Sequence, residues 1–181
     1  EPNFIQETTR VSDPSRQVSP LKEFPTEFAE LDKYDVLVFG DVDPQLLVSN
    51  PAKLPQTLKN IQKFVDQGGG LVAMSGEGWT PHAYGDTPFE ELLPVDITSS
   101  GDVGFAANYV DGWKPKLTAS GRVHPIMQLE ADHEANRRVW EEKSFGLADL
   151  RWWYPVRKAM PAAQVLAYHP DQRTANGNVP L

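Results

Sequence analysis

The chain has 181 residues, 40% hydrophobic and 23% charged, with a formal net charge of −8 at pH 7, which suits one domain, or one domain with an insertion, able to build a core. The negative charge, with no basic run, excludes a nucleic-acid binder, and the absence of cysteine excludes thiol nucleophiles, thiolate metal sites and disulfides while leaving the compartment undetermined. The apolar runs are too short to span a bilayer, so no membrane contact is expected of this segment.

Residues 1–20 are polar and broken by Asp13-Pro14 and Ser19-Pro20, which predicts an extended lead-in. Leu21, Phe24, Phe28 and Leu31 recur at helical spacing, and Thr26 is a candidate cap for a short helix near 26–32. Tyr34 to Gly40 is a continuous apolar strand, closed by Asp41-Val42-Asp43-Pro44. Asn50-Pro51 reads as N-cap and first helical residue. Leu54, Leu58, Ile61 and Val65 then form one face of a helix over 51–67. Gly68-Gly69-Gly70 stops that helix, the first glycine being suited to the left-handed C′ position. A phosphate cradle would instead follow a strand and open a helix. Leu71 to Ser75 is a second apolar strand, closed by Gly76-Glu77-Gly78-Trp79. Runs of this kind suit a parallel sheet covered on both faces, joined by a right-handed crossover.

Thr87-Pro88-Phe89-Glu90 has capping-box spacing and predicts a short helix ending at Pro94. Residues 95–120 read as a β insertion: a strand from Val95 to Thr98, then a hairpin of Phe105–Val110 with Trp113–Leu117, its second arm confined to an edge by Pro115. Gly121 to Met127 is a turn entering a helical piece, in which His124 is expected to satisfy a loop carbonyl. Glu130 to Glu142 is weakly helical, with Asp132 to Arg138 a solvated face. Trp140, Phe145, Leu147, Leu150, Trp152, Trp153 and Tyr154 form an aromatic and apolar cluster, suited to a core, an interface or a sugar-binding surface. Ala162 to Tyr168 is the expected last strand. The chain starts at Glu1-Pro2 without methionine and stops as an apolar segment begins, as a piece of a longer protein would.

Parallel strands joined by one crossover end on the same edge, where open α/β sheets gather ligands. That edge would bring together Asp41, Asp43, Ser75, Gly76, Glu77 and His82. One expectation is a hydrolase site with Glu77 or His82 as general base, or an oxygen-lined divalent metal site. The other is that the carboxylates cap turns. Adjacent strand ends would lie about 5 Å apart, and ends separated by one strand about 10 Å. Asp41, Glu77 and His82 are therefore expected to face one depression, with either a backbone turn satisfying the carboxylates or a raised carboxylate pKa.

The strand Tyr34–Asp41, the helix and glycine entry Phe64–Val72, and the turn Ser75-Gly76-Glu77-Gly78 resemble the class I glutamine amidotransferase-like superfamily. With Leu92-Leu93-Pro94-Val95, Thr118-Ala119-Ser120-Gly121 and His124-Pro125-Ile126, they resemble a glutamine amidotransferase-like group of uncharacterised bacterial proteins over residues 24–170. The resemblance implies an α/β, flavodoxin-like, three-layer fold with a mostly parallel central sheet and a β-hairpin excursion, one domain over 1–181. It also places Gly76 where the family's G-x-C-x-G turn holds its nucleophilic cysteine, and no thiolate exists to attack a glutamine amide. His169-Pro170-Asp171 echoes the His-Pro-Glu of active members, and is read as a coincidence.

The expected function is a non-catalytic binding or assembly module of a larger protein, with no glutaminase activity, no catalytic residue, no metal and no cofactor. Its expected partners are other domains of the same protein or separate proteins. The alternative is a hydrolase acting on a small polar or sugar-like substrate through the carboxylate and histidine rim.

Overall fold

A computed structural model of the chain describes residues 21, 23–97, 112–142, 145–174 and 177–180. The expected lead-in and the first arm of the expected hairpin lie outside these residues. The first half is a strand–helix–strand unit with a short leading helix: α1 (Phe28–Leu31), β1 (Val36–Phe39), α2 (Leu54–Asp66) and β2 (Gly70–Ala73). Thr26 does not cap α1 with its side chain. Its carbonyl accepts a hydrogen bond from the buried Asn60 amide at 2.8 Å, which ties α1 to α2. Asn50 accepts from the Ala52 N–H at 3.1 Å. The cap therefore opens a single 3₁₀ turn, Pro51–Lys53, that runs directly into α2.

Leu58, Ile61 and Phe64 are buried on α2, while Leu54 and Val65 pack at its margin. Gly68 ends the helix at φ +102°, the left-handed region that favours glycine. The next residue must also be glycine, because a Cβ on Gly69 would lie 2.3 Å from the Phe64 ring.

β1 and β2 pair in parallel, Val36 opposite Gly70 through Phe39 opposite Ala73. Leu37 and Phe39 are buried in the main core with Leu31, Leu58 and Ile61. Phe39 packs edge-on to Tyr84 and tilts against Phe89, ring centroids 6.3 and 5.1 Å away. The other face is open: Val36 and Val38 are 50% and 62% exposed, and Val72 and Met74 are exposed beside them. This corrects the expectation of a sheet covered on both faces. An unbroken apolar run reads the same whether the second face meets a helix or nothing, and none of the described elements covers it.

The second half adds β3 (Val95–Ile97), β4 (Lys116–Leu117), α3 (His133–Glu141), β5 (Val156–Ala159), β6 (Ala167–Thr174) and β7 (Gly177–Pro180). Among the described residues the strands form three small sheets: β1–β2, an antiparallel β3–β5 pair, and an antiparallel β4–β6–β7 sheet. The chain is thus a mixed α/β protein, and the mostly parallel central sheet is not formed by these strands. Among the described strands only the β1–β2 pairing is parallel.

The described arm of the expected hairpin pairs elsewhere. Trp113 bridges Leu150, and β4 pairs with β6. The strand expected over Ala162–Tyr168 as the last of the chain is β6, which begins later, at Ala167, extends through His169-Pro170-Asp171 and is followed by β7. Proline can sit there because the β6–β7 register is irregular between Tyr168 and Arg173, as at a bulge.

Candidate functional site

Because β1 and β2 are adjacent and parallel, their carboxyl ends open onto one loop system. Asp41 follows β1 by two residues. Its Oδ2 accepts from the Gly78 N–H at 2.8 Å, and its Oδ1 from the N–H groups of Trp79 and Thr80 at 2.7 and 2.9 Å. One carboxylate thus holds three consecutive amides of the turn that follows β2. Burial pushes the Asp41 pKa up. The three N–H bonds and the nearby His82 outweigh that and hold it below the ordinary carboxylate range.

Thr80, fully buried, braces the same turn. Its hydroxyl donates to the Gly40 carbonyl at 2.8 Å and accepts from the Val42 N–H at 3.4 Å. The Gly76 N–H donates to the Thr80 carbonyl at 2.8 Å, closing the loop. The Tyr84 hydroxyl donates to the Val42 carbonyl at 3.0 Å. Burial, then the charges of Asp43 and Asp41, push the Tyr84 phenol up and keep it protonated.

The six candidate residues divide between these parts. Asp41, Gly76 and the backbone beside Glu77 share the turn. A Cβ built on Gly76 would lie 2.2 Å from the Asp41 Cγ and 2.3 Å from its Cβ, so the carboxylate occupies the space a side chain at 76 would take. Glu77 is exposed at the tip of the turn. Asp43 is directed away from the turn, toward the segment that follows it. Its side chain accepts from the Gln45 N–H at 2.9 Å and caps the 3₁₀ turn Pro44–Leu47. His82 begins the 3₁₀ turn His82–Tyr84 and stacks on Tyr154, ring planes 3° apart and centroids 6.3 Å apart. Ser75 leaves the turn on its other side and lines a cavity of about 400 Å³.

That cavity lies between the end of β2 and the tryptophan cluster, and its walls include Thr80, Trp113, Trp152, Trp153 and Tyr154. Behind Trp113 and Trp153 sits His169, buried, with ring centroids 4.1 and 4.7 Å from theirs. Its Nδ1 accepts from the N–H groups of Asp171 and Gln172 at 3.2 and 3.0 Å. Thus His169 satisfies the amides of the irregular stretch of β6. Trp140, expected in the cluster, is directed elsewhere, its indole donating to the Met127 carbonyl at 2.8 Å. His124 accepts from the Ile126 N–H at 3.3 Å, so it serves a donor and not the expected carbonyl. Among the described residues, no three His, Asp or Glu side chains are placed to share a metal ion, and no helix is long and apolar enough to cross a membrane.

Thr80 and Tyr84 are the residues of this turn that sequence reasoning passed over. The available signal was a hydroxyl residue two positions after Gly78, at the point where a turn needs side-chain oxygen to close it. The turn at the end of this strand–helix–strand unit is exposed along Glu77–Trp79 and anchored by the buried Thr80, with Gly76 at its head. Here its head is bare and braced by a carboxylate. The chain belongs to the family described as "Putative glutamine amidotransferase" (GATase1_like), whose model matches residues 13–133, more than half its length. No curated protein and no solved structure matches it.

Proposed function

We propose that this is an amidotransferase-like domain that binds or assembles without glutaminase turnover, as one module of a larger protein working with its other domains or with protein partners. We take the β1–α2–β2 unit as the kernel of a flavodoxin-like arrangement. The observation that supports the proposal is the pairing of Gly76 with Asp41. Amide transfer from glutamine needs a nucleophile at the head of the turn, and the carboxyl of Asp41 fills that space. A hydrolase acting through Asp41 would have to use a carboxylate already engaged by three backbone N–H bonds, which lower its pKa and make it a weaker base.

The test is ammonia release from L-glutamine by the purified chain. We expect release at the level of a no-protein control. Release above that level, abolished by substituting any one residue of the turn, overturns the proposal.

A further inference from the structure

We propose that the cavity between β2 and the tryptophan cluster binds an uncharged, largely apolar compound with a planar ring. This rests on the binding-module function above and names the chemistry of the ligand. The cavity has a volume of about 400 Å³, within the ~300–1,000 Å³ range of small-molecule sites. Its walls come from four separate stretches: the end of β2 and its turn, the segment Leu93–Val95, Trp113, and residues between Leu150 and Val156 that include Trp152–Tyr154.

Three features select the ligand. First, no lining residue is charged, in a chain whose residues are 23% charged. A zwitterion such as glutamine would lose its hydration there without a partner for either charge. Second, the walls offer both faces and edges of rings. Trp113 and Trp153 meet at 81°, and Trp152 and Tyr154 at 70°. Such walls receive another aromatic ring in offset or edge-on contact. Third, hydroxyl partners are few. Ser75, Thr80 and Tyr154 line the cavity, and the Thr80 hydroxyl is already engaged by Gly40 and by Val42, so a sugar would leave most of its hydroxyls unmatched. The indole N–H groups of Trp113 and Trp152 are themselves buried, so they offer a ligand in the cavity no exposed donor.

Nuclear magnetic resonance of the five tryptophan indole N–H signals tests this directly. The probes are acetophenone, methyl glucoside and L-glutamine. We expect acetophenone to shift the Trp113 and Trp152 signals saturably, and the other two probes to leave them in place. Trp152→Ala should weaken acetophenone binding about tenfold, as loss of one aromatic wall implies. Ala73→Trp, at an exposed position on the cavity's rim, should block binding while leaving the fold intact, and so decides the matter even where the Trp152 variant fails to fold. The proposal is overturned by an absence of saturable shifts with acetophenone, by tighter binding of the glucoside or glutamine, or by unchanged binding in Ala73→Trp. The two proposals fail separately: ammonia release contradicts the non-catalytic function whatever the probes do, and silent indole signals contradict this ligand class whatever the ammonia assay gives.

Discussion

Asp41 and Gly76 are one device seen from two residues. A side chain at 76 cannot be admitted by a small rotation, because the Cβ of Asp41 itself lies 2.3 Å from the new atom and its carboxylate is bound by three amides. Gly76→Cys should therefore be destabilising, and should give no glutaminase. Asp41→Ala alone should cost about 1–2 kcal/mol, the worth of a lost cap with charge-assisted bonds. The double variant should be less damaged than the sum of the two, with a coupling of about 1–3 kcal/mol in urea unfolding. Strict additivity would mean that the two side chains do not compete for the space. The same carboxylate sets an acid limit. Its folded pKa lies below the ordinary value of 3.8, so the unfolded chain takes the proton first. Its stabilisation is present above about pH 3.8 and is lost as pH falls through the folded value. Asp41→Asn should flatten that part of a stability–pH curve.

At the scale of elements, side chains determine where the helices and turns join. α3 begins at Asp132, whose carboxylate accepts from the Ala135 N–H at 2.8 Å. The chain before it is held by Asn136, which is almost wholly buried although its neighbours Arg137 and Arg138 form ion pairs with Glu134, Glu141 and Glu142. The Asn136 side chain accepts from the N–H groups of Leu129 and Glu130 and donates to the Met127 carbonyl. Asn136→Ala should cost about 1–2 kcal/mol in thermal or urea unfolding, since it leaves the part-buried N–H groups of Leu129 and Glu130 without their acceptor. Asn136→Asp keeps the acceptors and should cost less. Equal losses would point to packing and not to hydrogen bonds. The expected capping box is shifted by one residue. Glu90 reaches the N–H of Asp86 at 2.6 Å and not that of Thr87. Thr87 still accepts from the Phe89 N–H at 3.2 Å. Asp86 sits at φ +56°, a left-handed position that Asp tolerates, and this turns the chain enough to move the partner.

Across the whole molecule, β6 joins the antiparallel sheet to the aromatic cluster through His169. Burial holds its imidazole below the ordinary value of 6.5, the Asp171 charge partly opposes this, and the Arg173 charge adds to it. Protonation would also place a hydrogen on Nδ1, which accepts two backbone N–H bonds. The unfolded chain therefore takes this proton at a higher pH than the folded one. The stabilisation is complete above about pH 6.5 and declines as pH falls below it. Thermal melts between about pH 7.5 and 5 should show this decline, and His169→Phe should reduce its slope even if it lowers stability throughout. An unchanged slope would place the titration on another group.

The amino-acid pattern by itself determined the local elements of the first half. The apolar runs Tyr34–Gly40 and Leu71–Ser75, the Asn50-Pro51 start and the left-handed Gly68 are written in neighbouring residues, because propensity, capping and period are short-range effects. The family was legible for the same reason, as motifs in order, and so was the empty head of the turn, since a missing cysteine needs no geometry to be noticed. Tertiary structure alone decided that Asp41 would bind amides 37 to 39 residues away. It also turned Asp43 to its own 3₁₀ turn, left Val38 uncovered, and sent Trp113–Leu117 to Leu150 and β6. Those outcomes depend on which distant surfaces compete for a donor, an acceptor or an apolar face. A strand's sequence records that it can be buried and paired, but the identity of its neighbour is settled only when all the other strands have taken their places.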